Sequence, residues 1–287
     1  KVLLNKQVLQ EISQRPKVWA DVHEGAGGGG GGGLIYLVSG GAGALAFAGK
    51  SEKGEQSIND TVFDGDDQIT WEGEGQIVDG GEGFNTLIIN VSSAEPISLK
   101  NISNIQRIIL SENITSGVNL EAPDSLISAG DTIEIDARSL NSDQGLIFDG
   151  SSELDGDFII YGSAHDDFLI GGQTPNSDII DGGAGDDIVM GGAGNDTLTG
   201  GSGSDTITGG GDDDIITGGD GADILDGGNG DDILKFASAE SLSNDLKVDG
   251  GTGTDIISFT AEGVLVEDSD FAEVTNIETV VFSNGNN

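Results

Sequence analysis

From Gly182 the chain repeats every nine residues, without a gap, through GGAGDDIVM, GGAGNDTLT, GGSGSDTIT, GGGDDDIIT, GGDGADILD and GGNGDDILK to Lys235. The sixth position is Asp187, Asp196, Asp205, Asp214, Asp223 and Asp232, and the eighth is Val189, Leu198, Ile207, Ile216, Leu225 and Leu234. A period this short makes each block a unit that buries its apolar side only by stacking on its neighbours. Gly at positions one, two and four permits positive φ and a tight turn whose carbonyls point inward. The three residues that follow suit a strand with one inward aliphatic, so the core is thin. The expected fold is all-β, a parallel β-solenoid.

Stacking sets each sixth-position Asp about one strand spacing, roughly 4.8 Å, from its equivalent, and such a column repels itself unless something neutralises it. Turn propensity explains an Asp somewhere in each turn, but not Asp at one phase with an aliphatic two residues later. Calcium, a hard cation that takes oxygens from carboxylates and carbonyls together, suits the column. Composition agrees. With 51 Asp plus Glu against 11 Lys plus Arg, the net charge is −40, which excludes a nucleic-acid partner bound by phosphate neutralisation. The absence of Cys removes thiolate metal sites and disulfides. A chain that is 35% hydrophobic and 5% aromatic argues against a conventional enzyme core.

The pattern resembles the G-G-x-G-x-D-x-U-x nonapeptide of the repeat-in-toxin (RTX) family of calcium-binding β-rolls. The resemblance implies that two nonapeptides make one coil and that each ion lies between turns on adjacent coils. It implies several ions, about one per intact repeat-pair interface. The six Asp residues from Asp187 to Asp232 then become carboxylate ligands. Carbonyl ligands come from Gly182, Gly183, Gly185, Gly191, Gly192, Gly194, Gly200, Gly201, Gly203, Gly209, Gly210, Gly218, Gly219, Gly221, Gly227, Gly228 and Gly230. Degraded blocks extend the set. GSAHDDFLI at 162–170 keeps Asp167, the block 171–181 carries two extra residues before Asp178, and the last Gly-Gly unit keeps Asp255. Farther upstream, Asp67 keeps the position within 62–70, while Gln76 and Asn85 replace it in 71–79 and 80–88. Asp186, Asp213 and Asp231, at position five, are expected on the outer face, and Asp212 replaces a fourth-position Gly.

A longer echo flanks the regular repeats: Asp79-Gly80-Gly81 leads to Ser103-Asn104-Ile105, and Asp249-Gly250-Gly251 leads to Thr275-Asn276-Ile277. Four regions follow. Residues 1–53 hold six basic and four acidic residues, in contrast to the acidic remainder, and comprise a short helix around Leu4, Val8 and Ile12 and a Gly-rich apolar segment. An irregular β-solenoid wing spans 54–161, the β-roll 162–235, and a C-terminal wing or cap with a possible secretion signal 236–287. The apolar run 34–47 suits a signal peptide, a retention or assembly segment, or a linker, and any membrane contact is confined to it.

No G-x-S-x-G, H-E-x-x-H or phosphate-binding Gly-Lys loop is present, so the chain is read as non-enzymatic. The expected function is a secreted or cell-surface calcium-binding protein with a structural or adhesive role, self-associating as a surface-layer or filament subunit. The alternative is the calcium-dependent folding and type I secretion module of a larger toxin or hydrolase, and under either reading the resemblance implies type I export through a C-terminal signal. The column argument separates position six from position five. Asp205→Ala and Asp223→Ala are each expected to weaken calcium affinity at least about tenfold, the loss typical even of groups that only support a ligand, and Asp231→Ala much less. Calcium titrations and calcium-bound melting temperatures check this; equal effects would mean bulk charge binds the ions.

Overall fold

A computed structural model describes residues 65–71, 78–90, 97–141, 144–173, 175 and 177–283, together with the backbone of 36–39, 45–50 and 56–57. Among them, from Arg107 onward, successive strands alternate between two parallel sheets. One sheet runs from Ile97–Ser98 through Ile188–Ala193, Thr206–Gly211 and Ile224–Asn229 to Val274–Thr275; the other runs from Gln68–Trp71 through Thr197–Ser202, Ile215–Asp220 and Ile233–Phe236 to Thr279–Ser283. The fold is a parallel β-solenoid. In the regular stretch Leu198 pairs with Ile216 and Ile207 with Leu225, each eighteen residues apart, so one coil is two nonapeptides.

The eighth position supplies the core. Val189, Ile207 and Leu225 on one sheet and Leu198, Ile216 and Leu234 on the other are fully buried, one file from each sheet. One aliphatic per nine residues is thin support for ordering nine residues of backbone. The wing upstream is heavier: Phe148 and Phe158 meet edge to face at 5.0 Å, and Leu120, Ile133 and Ile135 are buried around them. Its coils are longer, with Thr132 paired to Asp157 and Asn119 to Ile147.

Insertions leave the register intact by leaving the coil. The two extra residues of 171–181 are expelled at the turn, where Gln173 and Pro175 are exposed, while Ile159 still pairs with Ile179. Downstream, Ile224 pairs with Lys247, and the added length forms a helix, Ala239–Asn244, which the sequence reading lacked. Its start is set by Ser238, whose hydroxyl accepts the Ser241 N–H at 3.1 Å, and Leu242 anchors it in the core. The C-terminal wing continues the solenoid to Thr279–Ser283, which is exposed along its length. Tyr36–Ser39 and Leu45–Lys50, in the apolar run, pair antiparallel with each other. The expected helix around Leu4 to Ile12 lies outside the described residues.

Glycine serves two purposes rather than one. Positions two and four do take positive φ, 117° at Gly201 and 136° at Gly203, and Asp212 adopts 72° in their place. Position one does not, contrary to the sequence reading. There the constraint is space: a methyl group on Gly200 would overlap Asp205 Oδ2 and crowd the Gly218 carbonyl oxygen of the next coil. Gly211, at position three, has nothing within 4 Å of a methyl group. Gly200→Ala is therefore expected to destabilise the folded protein by about 1–3 kcal/mol, as overpacking does. Gly211→Ala should be neutral or slightly stabilising. Thermal unfolding in calcium distinguishes the two; equal losses would remove the crowding argument.

Candidate metal centre

The sixth-position Asp residues enter the strands of both sheets and form two columns of carboxylates, each residue no more than 1% exposed across the six regular blocks. Within a column the N–H of each Asp donates to Oδ1 of the Asp one coil later. In the first column Asp167 donates to Asp187 at 2.7 Å, Asp187 to Asp205 at 2.9 Å, Asp205 to Asp223 at 2.9 Å and Asp223 to Asp245 at 3.2 Å. In the second, Asp178, Asp196 and Asp214 each donate to the next member at 2.8 Å, as does Asp232 to Asp255. That column closes on Glu278, whose Oε2 accepts the Asp255 N–H at 2.8 Å.

This ladder uses one oxygen of each carboxylate. The other, Oδ2 of Asp187, Asp196, Asp205, Asp214, Asp223, Asp232 and Asp255, is buried without a hydrogen-bond partner. It lies over the first Gly of its own turn, where in several turns a carbonyl oxygen of the next coil also converges: Gly200 beside Asp187, Gly209 beside Asp196, Gly227 beside Asp214 and Gly250 beside Asp232. Acceptor thus faces acceptor in a space only glycine leaves open. Seven buried orphan oxygens are costly unless a cation joins them to those carbonyls. All the donors are hard oxygens, the set that calcium takes.

The ends of the columns meet the same need differently. Asp167 Oδ2 accepts the Ser163 N–H at 2.6 Å, and Asp178 Oδ2 accepts the Gly172 N–H at 2.6 Å, so backbone donors already fill these two turns. At the N-terminal end Asn85, fully buried, holds the column position. Its Oδ1 accepts the Asp67 N–H at 3.1 Å, while its Nδ2 donates to the Asn104 carbonyl at 3.0 Å. The echo makes this comparison close. Asn104 and Asn276 share φ of 54°, and their side chains donate to Asp79 at 2.6 Å and Asp249 at 2.7 Å. Asn85 beside Gly80 and the Asn104 carbonyl corresponds to Asp255 beside Gly250 and the Asn276 carbonyl. Where the first copy has an amide N–H, the second has a bare oxygen.

Position five behaves as expected. Asp186, Asp213 and Asp231 are exposed and accept backbone N–H groups from the next coil, Asp186 from Ser204, Asp213 from Asp231 and Asp231 from Thr254, each at 2.8 Å. Three column members escaped the sequence reading. Gln106 and Glu278 keep the phase, two residues before Ile108 and Val280, but with longer side chains. Asp245 follows the inserted helix and stands three residues before Val248, one residue out of phase.

Burial pushes these carboxyl groups up, with neighbouring carboxylates adding to the shift: Asp187 and Asp214 to about 7, Asp196 to about 8, Asp205 and Asp232 to about 6. Backbone N–H donors offset only part of it. The ion-free columns therefore hold protons that an unfolded chain, with carboxylates near about 3.9, would release.

Residues 155–174, 161–198 and 199–234 match the RTX calcium-binding nonapeptide repeat, in four copies. The chain carries RTX calcium-binding repeats. No curated protein and no solved structure gives a match to it. The matched span begins at the wing's last coils and ends one residue short of Lys235, so it covers the columns from Asp167 to Asp232 and leaves out Asp245, Asp255 and Glu278, which the hydrogen-bond ladder adds.

The direction of the shifts determines the pH response of the ion-free RTX repeats. Their folded pKa values lie above the unfolded one, so the stability they contribute is present below about pH 4 and is lost as pH rises through 6 to 8. In chelator, strand signal in circular dichroism is expected to increase as the protein is taken from pH 8 to pH 5. In calcium the same change should weaken binding, because protons compete for the oxygens. Chelated protein that loses structure between pH 8 and 5 would contradict this.

Proposed function

We propose that the chain is a secreted or cell-surface protein whose RTX solenoid is assembled by calcium and serves a structural or adhesive role. The seven orphaned Asp oxygens carry this reading, with the Asn85 amide as the internal comparison. In it, Asp187, Asp196, Asp205, Asp214, Asp223, Asp232 and Asp255 are the carboxylate ligands, and carbonyls of the Gly turns on the adjacent coil complete each site. Several ions are bound, about one for each pair of facing turns. Bound calcium supplies the positive charge that lets acidic coils stack.

Export follows from the same coupling. Where calcium is scarce the acidic repeats stay expanded and threadable, and where it is millimolar, the range of extracellular modules, they fold. This fits passage through a type I secretion channel. The second reading, a folding and secretion module for a larger toxin or hydrolase, shares every one of these properties.

The structural reading is favoured by the exposed edge strand. Val280, Val281 and Phe282 are 36%, 45% and 40% exposed on Thr279–Ser283, whose other side pairs with Ile256–Phe259. An apolar sheet edge of this kind pairs readily with another chain. Circular dichroism in chelator and then in millimolar calcium is expected to show a cooperative gain of strand. A fully folded spectrum in chelator at neutral pH would end the calcium-assembly reading. Sedimentation of the chain with and without residues 1–49 separates the roles: calcium-dependent oligomers support a structural subunit, and monomers throughout support the secretion module.

A further inference from the structure

The column of acids on one side of the solenoid stops at Asp178, because the equivalent position one coil earlier is Phe158, whose N–H donates to Asp178 Oδ1 at 2.7 Å. The turn that leads into Phe158 nevertheless contains a buried acid. Glu153 is fully buried, and its Oε1 accepts N–H groups of Leu154, Asp155 and Gly156, each at 3.2 Å. Its Oε2 is buried and has no hydrogen-bond partner. One carboxylate oxygen each from Glu153, Asp124 and Asp155 lie within 4.8 Å of one another.

These residues belong to turns on consecutive coils. Asn119 pairs with Ile147 in the strands before the turns, the Asp155 backbone carbonyl accepts the Gly130 N–H at 2.8 Å, and the Asp131 backbone carbonyl accepts the Asp157 N–H at 3.0 Å. The two turns are thus held in register from both sides. Every ion pair among the described residues belongs to Arg107, Arg138 or Lys247, so no described basic side chain pairs with the three acids. Asp124 and Asp155 are exposed, which leaves an approach from solvent.

We propose that Asp124, Glu153 and Asp155 form a divalent-cation site, suited to calcium, that clamps turns 122–131 and 150–156 outside the nonapeptide repeats. Three oxygens within 4.8 Å of one another all lie no more than about 2.8 Å from a common point, a few tenths of an ångström beyond calcium–oxygen bonds of roughly 2.3–2.6 Å, so one ion reaches all three once the two exposed Asp side chains adjust. Three carboxylates with one buried oxygen form a hard donor set, and the exposed side leaves room for water ligands. The site differs in construction from the repeat turns: it uses no Gly-Gly pair, and its acids come from two turns without a shared motif.

The test uses the full chain. Asp124→Asn/Asp155→Asn, at two exposed positions, should bind one calcium ion fewer at saturation in equilibrium dialysis with radiolabelled calcium, with the circular dichroism transition of the repeats unchanged. Hydrogen exchange gives the location: calcium should protect 122–131 and 150–156 in the natural chain but not in the variant, while protection over 182–235 stays. Glu153→Gln should behave like the double variant. The proposal is overturned if the ion count and the protection of both turns are unchanged, or if Glu153→Gln binds as many ions as the natural chain. A loss of protection that spreads through 182–235 without loss of an ion also overturns it.

Discussion

A buried carboxylate with one oxygen satisfied and the other bare is the unit on which the regular solenoid depends. The Oδ1 ladder aligns coil on coil at 2.7 to 2.9 Å through Asp167, Asp187, Asp205 and Asp223. The same geometry sets Oδ2 against a carbonyl. The attraction that builds the column and the repulsion that opposes it come from one side chain, and only a cation or a donor reconciles them.

Among the described residues the conflict is met in three ways. Asn85 supplies an amide N–H, Ser163 and Gly172 supply backbone N–H groups, and Asp187, Asp196, Asp205, Asp214, Asp223, Asp232 and Asp255 leave the oxygen bare. The first two solutions lie toward the wing with the heavy core, where Phe148, Phe158 and the aliphatics around them carry the packing. The third coincides with the thin core, one aliphatic per nonapeptide. Where apolar burial is smallest, stability is left to charge.

Much of this was legible in the sequence because the repeat keeps its phase. The sixth and eighth columns, the two-residue expulsion at 171–181, the exposed fifth position and the left-handed Asp212 are all consequences of a period of nine acting on known turn and strand geometry. The longer echo was visible as Asp-Gly-Gly followed by Ser/Thr-Asn-Ile, and its meaning, an Asn in left-handed geometry clamped to an Asp, required coordinates. Two kinds of information were hidden. Asp245 was displaced by one residue through the helix at Ala239–Asn244, and a periodic argument has no access to a position out of phase. The first Gly was assigned to backbone freedom because composition does not distinguish a turn that needs positive φ from one that needs an empty space. Glu153 was hidden for a third reason: among 51 acids, burial and not identity makes one of them unusual.

The placement of the bare oxygens also gives the solenoid a direction of assembly. A repeat array folds by nearest-neighbour stacking, so structure spreads from whatever part is stable by itself. The stretch from Asn85 to Gly172 has the amide and backbone donors and a broad apolar core, whereas each coil beyond Asp187 adds a pair of unneutralised carboxylates for little apolar burial. On the calcium-assembly reading proposed above, growth past that point is uphill without ions and favourable with them, since binding to the folded coil alone shifts the equilibrium toward it. Asp167 and Asp178, already satisfied by backbone donors, stand at the boundary and offer the first regular turn a prepared surface to stack on. On that reading, the change from amide to acid at this position of the coil separates a part of the fold that holds itself together from a part that calcium completes.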